Sequence, residues 1–286
     1  MSIRDEERGQ SIQIGAILIF GILILSLSLY QANVVPAENG RVEFNDYLSA
    51  TSDMMNLRTN VGYAASRGTS VGTTIKTGVT YPPRILTINP GPPGNRIRTS
   101  ESAPLTINNA SAVESEPGNT RTYWTGGPHS YETTSIRFDT DYNEIRVPPV
   151  VYDASVIYRP VNESTNPPYG PNEIVILTDQ TLIQGEQISL VTLTGDVDAG
   201  GPQTVLTAQA VSPNTRTVVV KNETGNITIT VPTDLSAATW EEKLLANQDN
   251  VAHVTQNGTA VDVVLEPGTR ASQNHCHTST EVFPGL

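Results

Sequence analysis

Cysteine is nearly absent, with Cys276 the single one in 286 residues, so no disulfide scaffold holds this chain together. Lysine is almost as scarce: Lys76, Lys221 and Lys243 stand alone, and arginine supplies the rest of the 17 basic residues. Against 29 acidic residues this leaves a net charge of −12 and no basic cluster. The electrostatic footprint that phosphate neutralisation requires is missing, and nucleic acid is not an expected partner. Charged residues make up 16 % and aromatics 6 %, which describes a polar, Thr-rich chain with a modest core. The P-loop, the G-x-G-x-x-G and the H-E-x-x-H motifs are missing as well. The chain therefore reads as non-enzymatic and without a cofactor. Acidic excess with scarce lysine suits a protein working in high salt, where the Debye length shrinks to a few ångströms. An ordinary acidic extracellular protein is the plainer alternative.

Long apolar runs are lacking everywhere but one place. Residues 10–33 carry no charge, and residues 12–30 read IQIGAILIFGILILSLSLY. As a helix this run is about 28 Å long, close to the roughly 30 Å hydrocarbon core, so a lipid bilayer is the first expected partner. It is too long for a cleaved secretory signal, and no good small-residue cleavage site follows it. The short head, residues 1–9, holds Arg4 and Arg8 beside Asp5, Glu6 and Glu7. Basic residues set orientation and acids count little, so the N-terminus is expected in the cytoplasm and the bulk of the chain outside, in a single pass.

Pro36 is expected to break or kink this run. Beyond it Phe44, Tyr47, Leu48, Thr51, Met54, Met55, Val61 and Ala65 recur at helical spacing, while Glu43, Asn45, Asp46, Ser52, Asp53 and Asn56 form the opposite, polar face. The division expected is a leader at 1–9, a transmembrane helix at 10–36 and an amphipathic stalk at 37–69, ending by Arg67-Gly68-Thr69. From about Val71 the period becomes two. Candidate strands start at Thr73, Arg84, Thr120, Glu132, Glu144, Val150, Glu173, Gln187, Gln203, Thr215, Asn226, Val251 and Ala260, separated by Gly, Pro and Asn turns. Thr120 to Trp124, Arg84 to Ile88 and Glu144 to Val147 are among these strands. The fold class expected is mainly β with a long N-terminal α-helix: a membrane-spanning helix with an amphipathic extension, then an antiparallel β-sandwich head. One short helix is expected near 234–246, with Thr233 or Asp234 as its N-cap and Trp240 and Leu244 on one face. The head would cover 70–268, with sub-lobes 70–160 and 172–268 if the Pro-rich stretch 159–172 is a linker. Residues 269–286 show no strand pattern and read as a disordered tail.

Arg8-Gly9-Gln10 stands immediately before the apolar run, not after it. In this it resembles the prepilin-type leaders of archaeal type IV pilins and archaellins, which a membrane peptidase removes. The resemblance implies cleavage between Gly9 and Gln10, a prepilin-type leader peptidase as partner, and a freed apolar helix that packs with copies of itself or other pilin-like subunits. Ile14 departs from bacterial pilins, which carry Glu at the fifth mature position. Further strings extend the likeness: Val34-Val35-Pro36, Tyr81-Pro82-Pro83-Arg84 leading to Asn89-Pro90-Gly91-Pro92-Pro93, Tyr142-Asn143-Glu144, and NITITVP from Asn226 to Pro232. Together they resemble a family of membrane-anchored, pilin-like surface proteins of halophilic archaea, to about Gly268. The family implies location and architecture and no activity. A monomeric signal-anchored envelope glycoprotein or adhesion module is the alternative.

Five N-x-S/T triplets, at Asn109, Asn162, Asn222, Asn226 and Asn257, are candidate N-glycosylation sites on a chain that faces outward. No metal site is expected. His275-Cys276-His277 cannot converge on one ion from an extended strand, and Asp139-x-Asp141-x-Asn143 lacks the glycine and the final Glu of a calcium loop, so it reads as a polar hairpin turn.

Overall fold

The structure, a computed structural model, describes residues 3–161, 173–210, 216–222, 225–266 and 271–284. One continuous rod opens the chain: α1 (Ile3–Leu29), a π-helical turn (Tyr30–Val34) and α2 (Val35–Arg67). Its part from Gln13 to Arg67 is 55 residues, about 80 Å at the usual helical rise. Pro36, expected to break or kink the run, does not break it. Proline lacks an N–H and its ring crowds the carbonyl four residues back. Here the backbone widens just upstream, with the Val35 N–H donating to the Tyr30 carbonyl, so Pro36 enters α2 in its first turn, where the missing donor costs little. At the other end Gly68 adopts a left-handed conformation (φ 63°) and caps the helix on the Ala64 carbonyl, which terminates α2 at Arg67 as expected.

Behind the rod stand β1 (Ser70–Lys76), β2 (Arg96–Thr99), β3 (Ala103–Asn108), β4 (Ala110–Ala112), α3 (Gly118–Tyr123), β5 (His129–Thr133), β6 (Ile136–Asp139), β7 (Val150–Asp153) and β8 (Val156–Pro160). They are followed by β9 (Ile174–Ile176), β10 (Ile183–Gln184), β11 (Gln187–Thr194), β12 (Asp198–Gly200), β13 (Gln203–Ala210), β14 (Arg216–Asn222) and β15 (Thr228–Pro232). After β15 come the short helix α4 (Ala237–Thr239), continued by a π-helical turn (Trp240–Leu244), then β16 (Val251–Asn257), β17 (Ala260–Leu265) and β18 (Ala271–Pro284). Three sheets result. The first runs β1-β13-β18-β11-β10, with β14 pairing both β18 and β4; the second runs β12-β2-β6-β7-β8-β9; the third runs β16-β17-β15-β3-β5. Among the described strands every pairing is antiparallel except β11 with β18.

Two apolar cores lie on either side of the first two sheets. Tyr47, Ala50, Met54, Leu57, Val61 and Ala64 of α2 pack with Ile75, Ile97, Ile136, Phe138, Tyr152, Ile157 and Leu206. A second core holds Leu105, Ile107, Ile229, Val231, Val261, Val263, Trp124 and Trp240 from the third sheet and its helices against Val151, Val156, Tyr158, Ile188 and Leu190. Because successive strand residues point to opposite faces, β7 and β8 feed both cores. That double burial explains their unbroken apolar sequence. Ala154 and Ser155, both at positive φ (45° and 73°), turn the chain sharply between them.

The fold class is as the sequence indicates: a long N-terminal helix, mostly antiparallel sheets and a short helix in the expected place. Several elements differ. Residues 84–88 and 144–147 are not strands; the first lies between the Pro82-Pro83 and Pro90 breakers and the second is held by the helix, as described below. Residues 120–123 belong to α3, where the Asn119 side chain accepts from the Thr120 N–H and stabilises the turn. Ser236, not Thr233 or Asp234, caps α4 by accepting from the Thr239 N–H. Residues 271–284, expected as a tail without strand pattern, form β18 within the first sheet, where long-range pairing supplies what local pattern lacks. Strands from both candidate sub-lobes share each sheet: β1 with β13, β2 with β12, β3 with β15. The candidate linker falls almost entirely outside the described residues.

Candidate functional site

The most elaborate polar construction in the molecule is the junction where the rod enters the head. At its centre Glu43 is fully buried (0 % exposed), although the sequence pattern puts it on the solvent side of the stalk. Its two carboxylate oxygens accept the backbone N–H groups of Asn143 (3.0 Å), Glu144 (2.9 Å) and Ile145 (3.1 Å), and the Tyr81 hydroxyl. Three successive N–H groups make an anion-binding concavity, and the carboxylate of the helix fills it. The turn that presents them is itself tied down. Asn95 Oδ1 accepts from the Asp141 N–H at 2.7 Å, and Thr140 Oγ1 donates to the Val147 carbonyl at 2.8 Å. The string read as a polar hairpin turn is therefore the receptor for the rod.

Neighbouring contacts lengthen this junction. Tyr142 donates to Asp46 Oδ2 at 2.9 Å, and burial pushes that carboxyl above its ordinary range while the hydrogen bond opposes the shift. Tyr47 donates to the Pro148 carbonyl at 2.9 Å, and Arg58 donates to the carbonyls of Ser155 and Asp179 at 2.5 and 2.6 Å. Further down the rod Arg84 reaches Glu38 at 2.9 Å and Asn39 at 3.1 Å. At the π-helical turn, the side-chain amide of Gln31 both donates to the carbonyl of Ile88 and accepts its N–H, each at 2.9 Å. The face buried in this way includes Val35, Asn39, Glu43, Tyr47, Ala50, Met54, Leu57, Val61 and Ala64, whereas Phe44 and Leu48, expected inside, are exposed.

Below the junction the rod is bare. Apart from the half-buried Leu27, the large apolar residues from Ile14 to Leu29 are between 47 % and 70 % exposed, and none of this segment is buried. It is long and apolar enough to cross a membrane.

A second feature is a cavity of about 320 Å³ lined by residues that include Ser100, Glu101, Thr133, Asp153, Thr233 and Asp234. Thr233 Oγ1 donates to Asp153 Oδ2 at 2.7 Å. Burial pushes the Asp153 carboxyl up to about 7, only partly offset by that hydrogen bond, and the adjacent Asp234 charge pushes in the same upward direction. Among the described residues no group of three or more His, Cys, Asp or Glu side chains converges as a metal site.

The residues singled out from sequence are scattered. Gly9 and Gln10 lie within α1. Asn257 is exposed at the β16–β17 turn and donates to Asp262 at 3.1 Å, with Gly258 at φ 59° completing the turn. Asn109, at φ 60°, has its side-chain amide engaged with the Asn226 carbonyl at 3.1 Å. Asn222 ends β14 and Asn226 precedes β15, both partly buried. Asn162 lies outside the described residues. One string escaped the motif reading: Gly68-Thr69-Ser70-Val71-Gly72 has the spacing of a hydrolase nucleophile elbow. That motif requires strand, turn, helix; here Ser70 follows helix α2 and opens strand β1, the reverse order. The signal that could have exposed the junction was Glu43 itself, an acid at helical spacing from Tyr47 and Met54. Set against protein-family models, curated proteins and solved structures, the chain has no match.

Proposed function

We propose that the protein is a non-enzymatic, single-pass cell-surface protein of pilin-like architecture. Its N-terminal helix exports and anchors it, the N-terminus is cytoplasmic and the β head faces outward. In this reading the leader is removed between Gly9 and Gln10 by a prepilin-type peptidase, and the freed helix packs with copies of itself or with similar subunits. The observation that supports it best is the two-part rod: bare and apolar over residues 14–29, then clasped by the head over residues 35–67. Phe44, Leu48 and Tyr63 are exposed apolar or aromatic side chains on the clasped part, available for contact with a second rod. The leader explains itself physically, since charged groups at the helix end hold it in the bilayer and their removal frees it. The second reading, a monomeric anchored glycoprotein or adhesion module, draws on the exposed Asn257 sequon.

Intact mass and N-terminal peptide mapping of protein taken from its native membrane test both readings. An N-terminus at Gln10, lost in Gly9→Val, supports processing; an unprocessed terminus in the wild type refutes it. Added glycan mass on the Asn257 peptide with no filaments by electron microscopy favours the second reading.

A further inference from the structure

Between Tyr81 and Asn95 the chain forms a loop with an unusual tip. Ile85 is 100 % exposed, Leu86 79 % and Ile88 80 %, and these are the most exposed large aliphatic side chains among the described residues. The base of the loop is closed by polar contacts: Asn89 accepts from Arg84 Nε at 2.7 Å and donates to the Pro82 carbonyl at 2.8 Å. Arg84 itself is held by Glu38 and Asn39, and the backbone of Ile88 is held on both sides by the Gln31 amide. The tip is thus placed by three rod residues, Gln31, Glu38 and Asn39, and is not a free flap. Its position on the rod is informative. Glu38 lies seven residues from Gln31, about 10 Å along the axis, so the loop descends from the level of Glu38 to the level of Gln31. Gln31 directly follows Tyr30, the last residue of the apolar run.

We propose that this loop is a second membrane contact, with Ile85, Leu86 and Ile88 seated in the interfacial layer of the lipid bilayer beside the point where the rod leaves it. The inference rests on the reading of the apolar run as a membrane span. Given that span, a bilayer is already present at the height of Gln31, and the tip has the composition such a layer accepts: three aliphatic side chains with every charged group of the loop drawn back to its base. The prolines at 82, 83, 90, 92 and 93 stiffen both limbs and carry no backbone N–H, and at interfacial depth the remaining backbone groups of the tip stay within reach of water. Rod and loop together give the head two points of support, which fixes its tilt over the membrane as well as its distance.

The test uses the full chain in vesicles of equal parts phosphatidylcholine and phosphatidylglycerol, with doxyl-labelled lipids as quenchers. Ile85→Cys, Leu23→Cys and Asn257→Cys are each made in a Cys276→Ser background and labelled with a nitrobenzoxadiazole fluorophore; Leu86→Cys repeats the measurement at a neighbouring tip position. At 85 and 86 the label is expected to lose about half its emission to doxyl groups placed near the lipid headgroups, consistent with insertion of several ångströms. At 23 the label should be quenched by deep doxyl groups and at 257 by neither. A label at 85 and 86 that behaves like the one at 257, with 23 quenched, overturns the loop contact and leaves the anchor standing. If 23 is unquenched the anchor reading fails and the loop contact fails with it. Shielding at 85 that ignores lipid quenchers and fades as protein is diluted in lipid assigns the tip to a second copy of the chain and also overturns the proposal.

Discussion

Residues 14–29 and residues 35–67 belong to one rod, yet they stand in opposite relation to the rest of the protein. The first stretch is apolar almost all round, so it has no preferred face, and none of it is buried. The second is polar overall, yet it buries a full stripe of eleven residues, two of them Asn39 and Glu43. A uniformly apolar helix is satisfied by any apolar surroundings, whether lipid or another such helix, and specifies no partner. A helix with one buried carboxylate and a row of matched hydrogen bonds specifies a single seat. In this chain the seat of the head is encoded in the clasped half, and the length and apolarity to cross a membrane in the bare half. The continuous backbone through Pro36 makes the head and the apolar segment parts of one lever.

The comparison is broken most severely by emptying the seat. Glu43→Ala leaves three backbone N–H groups buried without their acceptor, at ~1–3 kcal/mol each when not rescued by water, so a loss of about 4 kcal/mol in head stability is expected. Denaturant unfolding of the full chain, followed by Trp124 and Trp240 fluorescence, measures it; an unchanged midpoint would remove Glu43 as the anchor. Met54→Ala in the same half should cost about 3 kcal/mol by cavity formation, while Leu23→Ala in the bare half should leave the same transition within roughly 0.5 kcal/mol. Equal effects at 54 and 23 would erase the distinction between the halves.

Away from the rod, Asp153 offers a smaller perturbation and a control. Its carboxyl titrates near 3.8 when unfolded and near 7 in the fold, so between these values the folded state holds the extra proton. Stability therefore falls as pH rises from about 4 to about 7 and is flat above, with a ceiling of ~4 kcal/mol at ~1.4 kcal/mol per tenfold change and roughly 1–2 kcal/mol expected once the cavity admits water. Thermal melts across this range should show the decline in the wild type and a flatter profile in Asp153→Asn; identical profiles refute the assignment. The smallest effect expected is that of salt. With a net charge of −12 and four ion pairs among the described residues, two of them sharing Asp139, lowering salt from molar to millimolar should reduce the melting temperature by a few degrees through self-repulsion. A melting temperature independent of salt would remove the argument from lysine scarcity.

Periodicity made the rod, its end at Gly68 and most strand starts legible, because these depend on neighbours within a few residues. It misplaced the stalk face at Glu43, Phe44 and Leu48 because burial of an acid depends on a turn 100 residues away. Residues 84–88 look like a strand by composition, but a strand needs a partner, and the flanking prolines leave none. Residues 271–284 show no alternation and still join a sheet, since β11, β13 and β14 offer pairing sites that local sequence cannot reveal. The nest at residues 143–145 was unreadable for the same reason: backbone N–H groups carry no side-chain signature.

By itself the sequence determined that an apolar helix of membrane-spanning length comes first, that an amphipathic helix continues it, and that β strands follow, because local hydrophobic period and turn chemistry decide each of these. Only the tertiary structure decided that the two helices are one rod through Pro36, that Glu43 is its anchor, and that the Ile85 tip hangs beside Gln31. Those depend on which distant backbone groups meet, and their free energy comes from long-range burial and hydrogen bonding that no window along the chain contains.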